Sequence, residues 1–351
     1  MPRHAATSGA ATGPGAAGPG ATGPGAEGPR VVALGGGHGL AASLQALRQV
    51  TRHLTAVVTV ADDGGSSGRL REELGSLPPG DLRMALAALA GHDDWGQAWA
   101  GLLQHRFDGG GPLAGHAVGN LLLTGLTEST GDPVVALDLA ARLVGAVGRV
   151  LPMSCVPLEI AADVVGLDPQ DPAARCEVVG QVAVATTAGT VAAVHLRPPE
   201  PPACPEAVAA VRRADWVVLG PGSWFTSVLP HLLVPDLQAA LAETSARRLV
   251  CLNLAEQVGE TAGFSPEAHL QVLATHTAGL PVDVVLADER AVVDEAGLRA
   301  VVEDLGARLV LAAVARGDGT PRHDPDRLAA ALAPILSTSW AGATAEAHAW
   351  R

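Results

Sequence analysis

The sequence predicts a doubly wound, mostly parallel α/β sheet with a small β-containing subdomain in the middle of the chain. Three observations carry this expectation. Short continuous apolar runs, the form taken by a parallel strand buried on both faces, recur along the chain. Several of them run straight into loops of Gly, Ser and Asp, after which the apolar spacing turns helical. Of the 351 residues 48% are hydrophobic and only 17% charged, which is ample material for a core.

The first strand is Val31-Val32-Ala33-Leu34, closed by Gly35-Gly36-Gly37-His38-Gly39 and followed by a helical pattern at Leu40, Leu44, Leu47 and Val50. The second, residues 55–60, runs into Ala61-Asp62-Asp63-Gly64-Gly65-Ser66-Ser67-Gly68. Another helix starts near Asp81, after Pro78-Pro79-Gly80. Residues 92–150 read as helical and carry Trp95, Trp99 and the segment Gly115 to Leu123. From 150 to 200 the pattern turns to short β-like pieces, such as Val178 to Thr187 and Thr190 to Leu196, closed by prolines at 198–205. This stretch is the expected subdomain. Strands return at Trp216 to Leu219, Arg248 to Leu254, Val282 to Leu286 and Arg308 to Val314, before a helix from Pro325 to Leu336. Glu260, Thr261, Ser265, Pro266 and His269 mark the start of one more helix, with Pro266 in its first turn. There is no internal repeat.

Residues 1–29 form a Gly/Ala/Pro tract without the apolar stretch of a signal peptide, and are expected to be a disordered leader. One α/β domain is expected over 30–336, with 150–205 as its subdomain and 337–351 as a loose tail. Acidic residues outnumber basic ones 36 to 23, giving a net charge of −13, which speaks against an electrostatic nucleic-acid binder. No run approaches the roughly 18 apolar residues of a membrane helix, so no membrane insertion is expected. Every basic residue is arginine, which excludes a Walker-A lysine, a Schiff-base lysine and a lysine general base. Tyrosine is absent and phenylalanine occurs three times, a poor supply of stacking platforms for single strands. The four cysteines show no C-x-x-C spacing, which fits neither a zinc ribbon nor a disulfide scaffold and suits a reducing cytoplasm.

In an open parallel sheet, ligands sit beyond the carboxyl ends of the strands. The amides of the Gly35–Gly39 loop suit a phosphate or pyrophosphate at a helix N-terminus, and a tight turn without ligand is the other reading. Gly37 to Ala42 also satisfies G-x-G-x-x-A, the sole support for a nicotinamide-dependent oxidoreductase. Asp62 and Asp63, followed by Ser66, Ser67 and Arg69, could grip a ribose hydroxyl, hold Mg²⁺ beside a phosphate, or shape a turn. Asp81 could face the ligand or cap its helix, and Arg83 could turn toward an anion or toward solvent. His116 and Asn120, four apart, share a face if their segment is helical, lining the cleft or satisfied in the core. Gly220-Pro221-Gly222-Ser223, continuing through Thr226 and Ser227 into the expected N-terminus of a helix, is a second phosphate cradle or a plain turn; Asn253 and Glu256 end the next strand, where they could contact a base or sugar or shape a turn. Ser223 lies in G-P-G-S rather than a nucleophile elbow, and no residue is assigned a catalytic role.

The stretches VVALGGGHGL (31–40), TAVVTVADDGGSSGRLREELGSLPPGDLR (55–83), GHAVGNLLL (115–123), ADWVVLGPGSWFTSVLPHLLVP (214–235), NLAEQVGETAGFSPEAHLQVL (253–273) and HDP (323–325) resemble the YvcK/CofD-like family. The likeness is closer to its YvcK branch, the gluconeogenesis factors, and spans residues 31 to 336. It implies a Rossmann-like cytoplasmic protein that binds a UDP-sugar, notably UDP-N-acetylglucosamine, and supports cell shape and envelope growth on gluconeogenic carbon sources. The CofD branch instead transfers a phospholactyl-type group from a GDP-linked donor to a deazaflavin, with Mg²⁺. Carried over by position, Asp62, Asp63, Gly35–Gly39 and Gly220–Ser227 match the ligand-facing motifs, with Asp62 and Asp63 as the Mg²⁺ ligands in the transferase alternative. A homodimer suits a regulator of this kind. The chain departs from the family pattern at His38, where threonine is usual, at Met84 for asparagine, at Phe225 for tyrosine, and at Glu256 and Val258 within a T-Q-P run.

Overall fold

The computed structural model describes residues 28–256, 265–276 and 279–337. The expected leader, apart from Gly28 and Pro29, and the expected tail beyond Ser337 lie outside the described residues, as do Val258, Glu260 and Thr261.

Seven strands form one parallel sheet in the order β10-β9-β8-β7-β1-β2-β3. They are β1 (Val31–Gly35), β2 (Leu54–Val58), β3 (Arg149–Pro152), β7 (Trp216–Leu219), β8 (Arg247–Cys251), β9 (Val284–Asp288) and β10 (Arg308–Ala312). The central ones read as unbroken apolar runs because helices cover both faces: every residue of β1, β7 and β9 is buried. β1 lies in the middle, pairing Val31 with Leu54 of β2 and with Trp216 of β7. From that point strand order runs outward in both directions, so the topological switch lies between β1 and β7. Arg30 fixes this junction, its backbone N and guanidinium both donating to the Asp215 carboxylate.

The helices are α1 (Gly37–Leu47), α2 (Gly65–Leu74), α3 (Gly80–Leu89), α4 (Asp94–Gln104), α5 (Val118–Thr130) and α6 (Pro133–Leu143) in the first half. α7 (Gln181–Ala185), α8 (Pro205–Arg213), α9 (Pro235–Glu243), α10 (Pro266–His276), α11 (Glu295–Asp304) and α12 (Pro325–Ser337) follow. α1 packs on α3 and α12, and α8 packs on α9.

The small sheet is antiparallel, order β5-β4-β6, from β4 (Glu159–Val165), β5 (Cys176–Val179) and β6 (Thr190–Arg197). Its Ile160, Val164, Val194 and Leu196 belong to the same continuous core as the large sheet. The doubly wound fold and its central β piece are as the sequence predicts. Three local expectations are corrected. The Gly64–Gly68 nest opens a ten-residue helix, α2, which escapes an apolar-period reading because only Ser66, Ser67 and Leu70 are buried. The stretch 178–187 is not all β: the strand ends at Val179, and Gly180, at φ 105°, turns the chain into α7. Beyond Ser223 the chain forms a π-turn (Trp224–Val228) and a 3₁₀ turn (Leu229–Leu233) rather than an α-helix.

Candidate functional site

The ends of β1 and β7 bring two glycine loops into contact. A Cβ on Gly39 would lie 2.3 Å from Pro221 O and 2.8 Å from Gly222 Cα, so only glycine lets the backbones approach this closely. Gly220 and Gly222 hold positive φ, 74° and 149°, as the loop after β7, the third after those that close β1 and β2, turns back toward the first. Ser43 of α1 donates to Gly220 O at 3.1 Å and ties the loops from below. Asn253 clasps Gly222 from both sides: its Oδ1 accepts from Gly222 N at 2.9 Å and its Nδ2 donates to Gly222 O at 2.8 Å. The clasp is the turn-shaping role the sequence allows Asn253. Ser223 accepts from Thr226 N at 3.3 Å and is hydrogen-bonded to the Thr226 hydroxyl, capping the π-turn. Ser227 and Thr226 are buried within it.

The first loop rests on Asp81. A Cβ on Gly36 would meet Asp81 Oδ2 at 2.4 Å, and the carboxylate accepts from the Gly37 N–H. Asp81 therefore does not cap its own helix, whose N-cap is Pro79, and instead reaches across to the loop after β1. Burial first, and then the charge of Asp62, push its carboxyl up to about 7, against the opposing pull of Gly37 N–H and Arg83. The amides of His38 and Gly39 fall in the first turn of α1, where helix geometry provides no intrahelical acceptor. His38 is exposed there; desolvation, and then the charges of Arg322 and Arg83, lower its pKa.

The adjacent carboxylates of the second loop diverge. Asp62 Oδ1 accepts from Gly64 N at 2.9 Å, and its side chain is also bonded to Ser67. Asp63 Oδ1 turns outward to accept from Val182 N of α7 at 3.0 Å, and a Cβ on Gly180 would lie 2.4 Å from Oδ2. Both Ser66 and Ser67 are buried and spend their hydroxyls inside the protein. Ser67 accepts from Gly80 N, and Ser66 bonds to His116 Nδ1 at 2.9 Å and accepts from Asn120 Nδ2 at 2.9 Å.

That last pair joins the residues 116 and 120 without a shared helix face, since α5 begins two residues after His116. Asn120 continues the chain of contacts by accepting from Arg83 Nε at 2.8 Å, and Arg83 also bonds to Gln104. Arg83 is thus buried rather than on a solvated helix face, and it stands behind the loops as the positive neighbour of Asp81 and Asp62. Arg69 donates to Ala114 O and Pro112 O, binding α2 to the 107–116 loop. The sequence reading missed Arg322, exposed in the loop between β10 and α12 close to His38, and Val182, the partner of Asp63. Only its place directly before the HDP stretch singles out Arg322 in the sequence.

A family model described as 2-phospho-L-lactate transferase CofD matches residues 31–310. A Mycobacterium tuberculosis protein carrying the gluconeogenesis-factor name is 58% identical over 305 residues, 86% of this chain and 89% of its own. The gluconeogenesis factor of Listeria monocytogenes is 34% identical over 326 residues, 88% of this chain and 95% of its own. The chain belongs to the YvcK/CofD-like family, in its gluconeogenesis-factor branch. The crystal structure of a UPF0052-family protein from Bacillus halodurans superposes with a TM-score of 0.78 at 34% identity, covering 88% of this chain and all of that one.

Within the gluconeogenesis-factor branch, the departures from the family pattern fall in different places. His38 is on the exposed face of the first loop, Phe225 is buried in the π-turn, and Glu256 is exposed beyond β8. Met84 lines a cleft of about 540 Å³ between α1, α3, α4 and α12, together with Ala41, Gln104 and Pro325. The CofD branch implies Mg²⁺ at Asp62 and Asp63. Here those carboxylates point to different elements, each already accepting a backbone N–H, and no group of three metal-ligating side chains gathers among the described residues. The pair as arranged does not fit one Mg²⁺ held by both. No helix among the described residues is long and apolar enough to cross a membrane.

Proposed function

We propose that the chain binds a nucleotide diphosphate sugar of the UDP-N-acetylglucosamine type in the crevice between the first and third loops. On this reading it is a cytoplasmic regulator that supports cell shape and envelope growth on gluconeogenic carbon sources. The observation that carries the proposal is the abutment of Gly39 on Pro221 and Gly222 at the β1/β7 switch point, where doubly wound sheets take their ligands. The first-turn amides of α1 and α2 offer donors to the diphosphate, and the helix dipoles favour its charge. With no lysine in the chain, the phosphate clamp falls to arginine, and Arg322 is exposed with its charge acting on His38 of the first loop. The relatives named gluconeogenesis factors support the regulatory role.

The description of the matching family supports a second reading, a phospholactyl-type transferase using a GDP-linked donor and Mg²⁺. Calorimetric titration with UDP-N-acetylglucosamine, GDP and NAD, each with and without Mg²⁺, separates the two. The expected result is binding of the UDP-sugar without metal, weakened about tenfold or more by Arg322→Ala and weakened also by Asp63→Ala. Binding of GDP that depends on Mg²⁺ points to the transferase, and no binding of any of the three overturns both.

A further inference from the structure

The chain leaves the large sheet for the small one through residues 153–158 and returns through the proline-rich run 198–203. These two segments lie side by side. Ser154 Oγ donates to Pro202 O at 2.6 Å, and Cys204 N donates to Met153 O at 3.0 Å. At this junction the thiols of Cys155 and Cys204 are hydrogen-bonded to each other, and Cys204 Sγ donates to Glu206 Oε2 at 3.3 Å. Cys155 is exposed and Cys204 fully buried, so one thiol meets reagents from solvent and the other waits behind it.

We propose that Cys155 and Cys204 form a reversible disulfide by exchange with a low-molecular-weight disulfide, stapling together the two segments that carry the small sheet. The bond to Cys204 lowers the pKa of the Cys155 thiol, which favours its thiolate. That thiolate attacks one sulfur of the external disulfide; a new S–S bond forms, and the old one breaks with its electron pair leaving on the first small thiolate. The bond to Cys155, and then burial, push the Cys204 thiol up, so its attack requires a base, and Glu206 is in place to take the proton. Cys204 then attacks the Cys155 sulfur of the mixed disulfide, and the second small thiolate departs and takes up that proton. Two protein thiols are oxidised by two electrons and the external disulfide is reduced to two thiols. The consequence reaches the glycine loops, because α7 of the stapled unit holds Asp63 through Val182 N.

The test equilibrates the full chain with reduced and oxidised glutathione, alkylates free thiols after unfolding, and maps the peptides. The expected result is joint loss of two thiols in a linked Cys155–Cys204 peptide, restored by dithiothreitol, with Cys176 and Cys251 still alkylated. Cys204→Ser stops at a glutathione adduct on Cys155, and Cys155→Ser, at an exposed position that keeps the fold, forms no adduct at Cys204. Slower hydrogen exchange over 159–197 in the oxidised protein is expected from the staple. Four free thiols at the oxidising end, a wild-type chain arrested as the mixed disulfide, a link to Cys176, or unchanged exchange over 159–197 overturns the proposal.

Discussion

The proton on Asp81 sets how the first glycine loop responds to pH. Its carboxyl is pushed up to about 7 from an unfolded value near 3.8, mainly by burial. Between those values the folded chain keeps a proton that the unfolded chain has lost, so this group's contribution is full below pH 4, falls as pH rises, and is gone above about 7. Asp81→Asn keeps an acceptor for Gly37 N–H and removes the titration. In denaturant titrations it is expected to stabilise the protein at pH 8 by on the order of 2 kcal/mol and to change little at pH 4; equal effects at both would contradict this origin. At this scale the sequence was legible in part. Gly35–Gly39 and Gly220–Ser223 are read correctly as strand-end loops, because glycine and strand order leave few alternatives. The direction of a side chain is another matter. Asp62 and Asp63 are neighbours in the chain yet serve Gly64 and Val182, and the His116–Ser66–Asn120–Arg83 chain joins three distant stretches of sequence that no local spacing links.

Elements were more legible where burial is one-sided and less where polar chemistry sets the limits. α6 begins with a pattern that states its own start: Asp132 accepts from Val134 N at 2.7 Å, and Pro133 opens the helix. Asp132→Ala is expected to cost about 1 kcal/mol, read as a lower urea midpoint at unchanged m-value; no change would show that the cap is replaced by water. α2 lacks any comparable signal. Its N-cap, Gly64, offers no side-chain acceptor, its sequence is polar, and its end is set by Gly75 in the left-handed conformation. The π-turn after Ser223 was equally hidden, since its identity depends on the Ser223 cap and on burial of Trp224 and Phe225 rather than on periodicity.

For the whole molecule, the continuous core through both sheets bears on cooperativity. Ile160, Val164 and Leu196 of the small sheet pack into the same cluster as β1 and β2, so calorimetry of the reduced protein is expected to give one unfolding transition. Two resolved transitions would mean that the small sheet melts by itself. The thiol pair at its base shows why whole-molecule contacts elude a spacing rule: Cys155 and Cys204 meet because the chain departs and returns at one place. The position of β1 has a consequence for the order in which the protein is made. Its partner β2 follows within a short helix, but β7 comes late, and Arg30 waits for Asp215, 185 residues further on. On a ribosome the far edge of β1 therefore stays open while about half of the chain is synthesised, a non-local closure of the kind that slows folding. The crevice proposed between the first and third loops is shared by those two strands, so on that proposal a nascent chain cannot complete it until Gly222 has emerged.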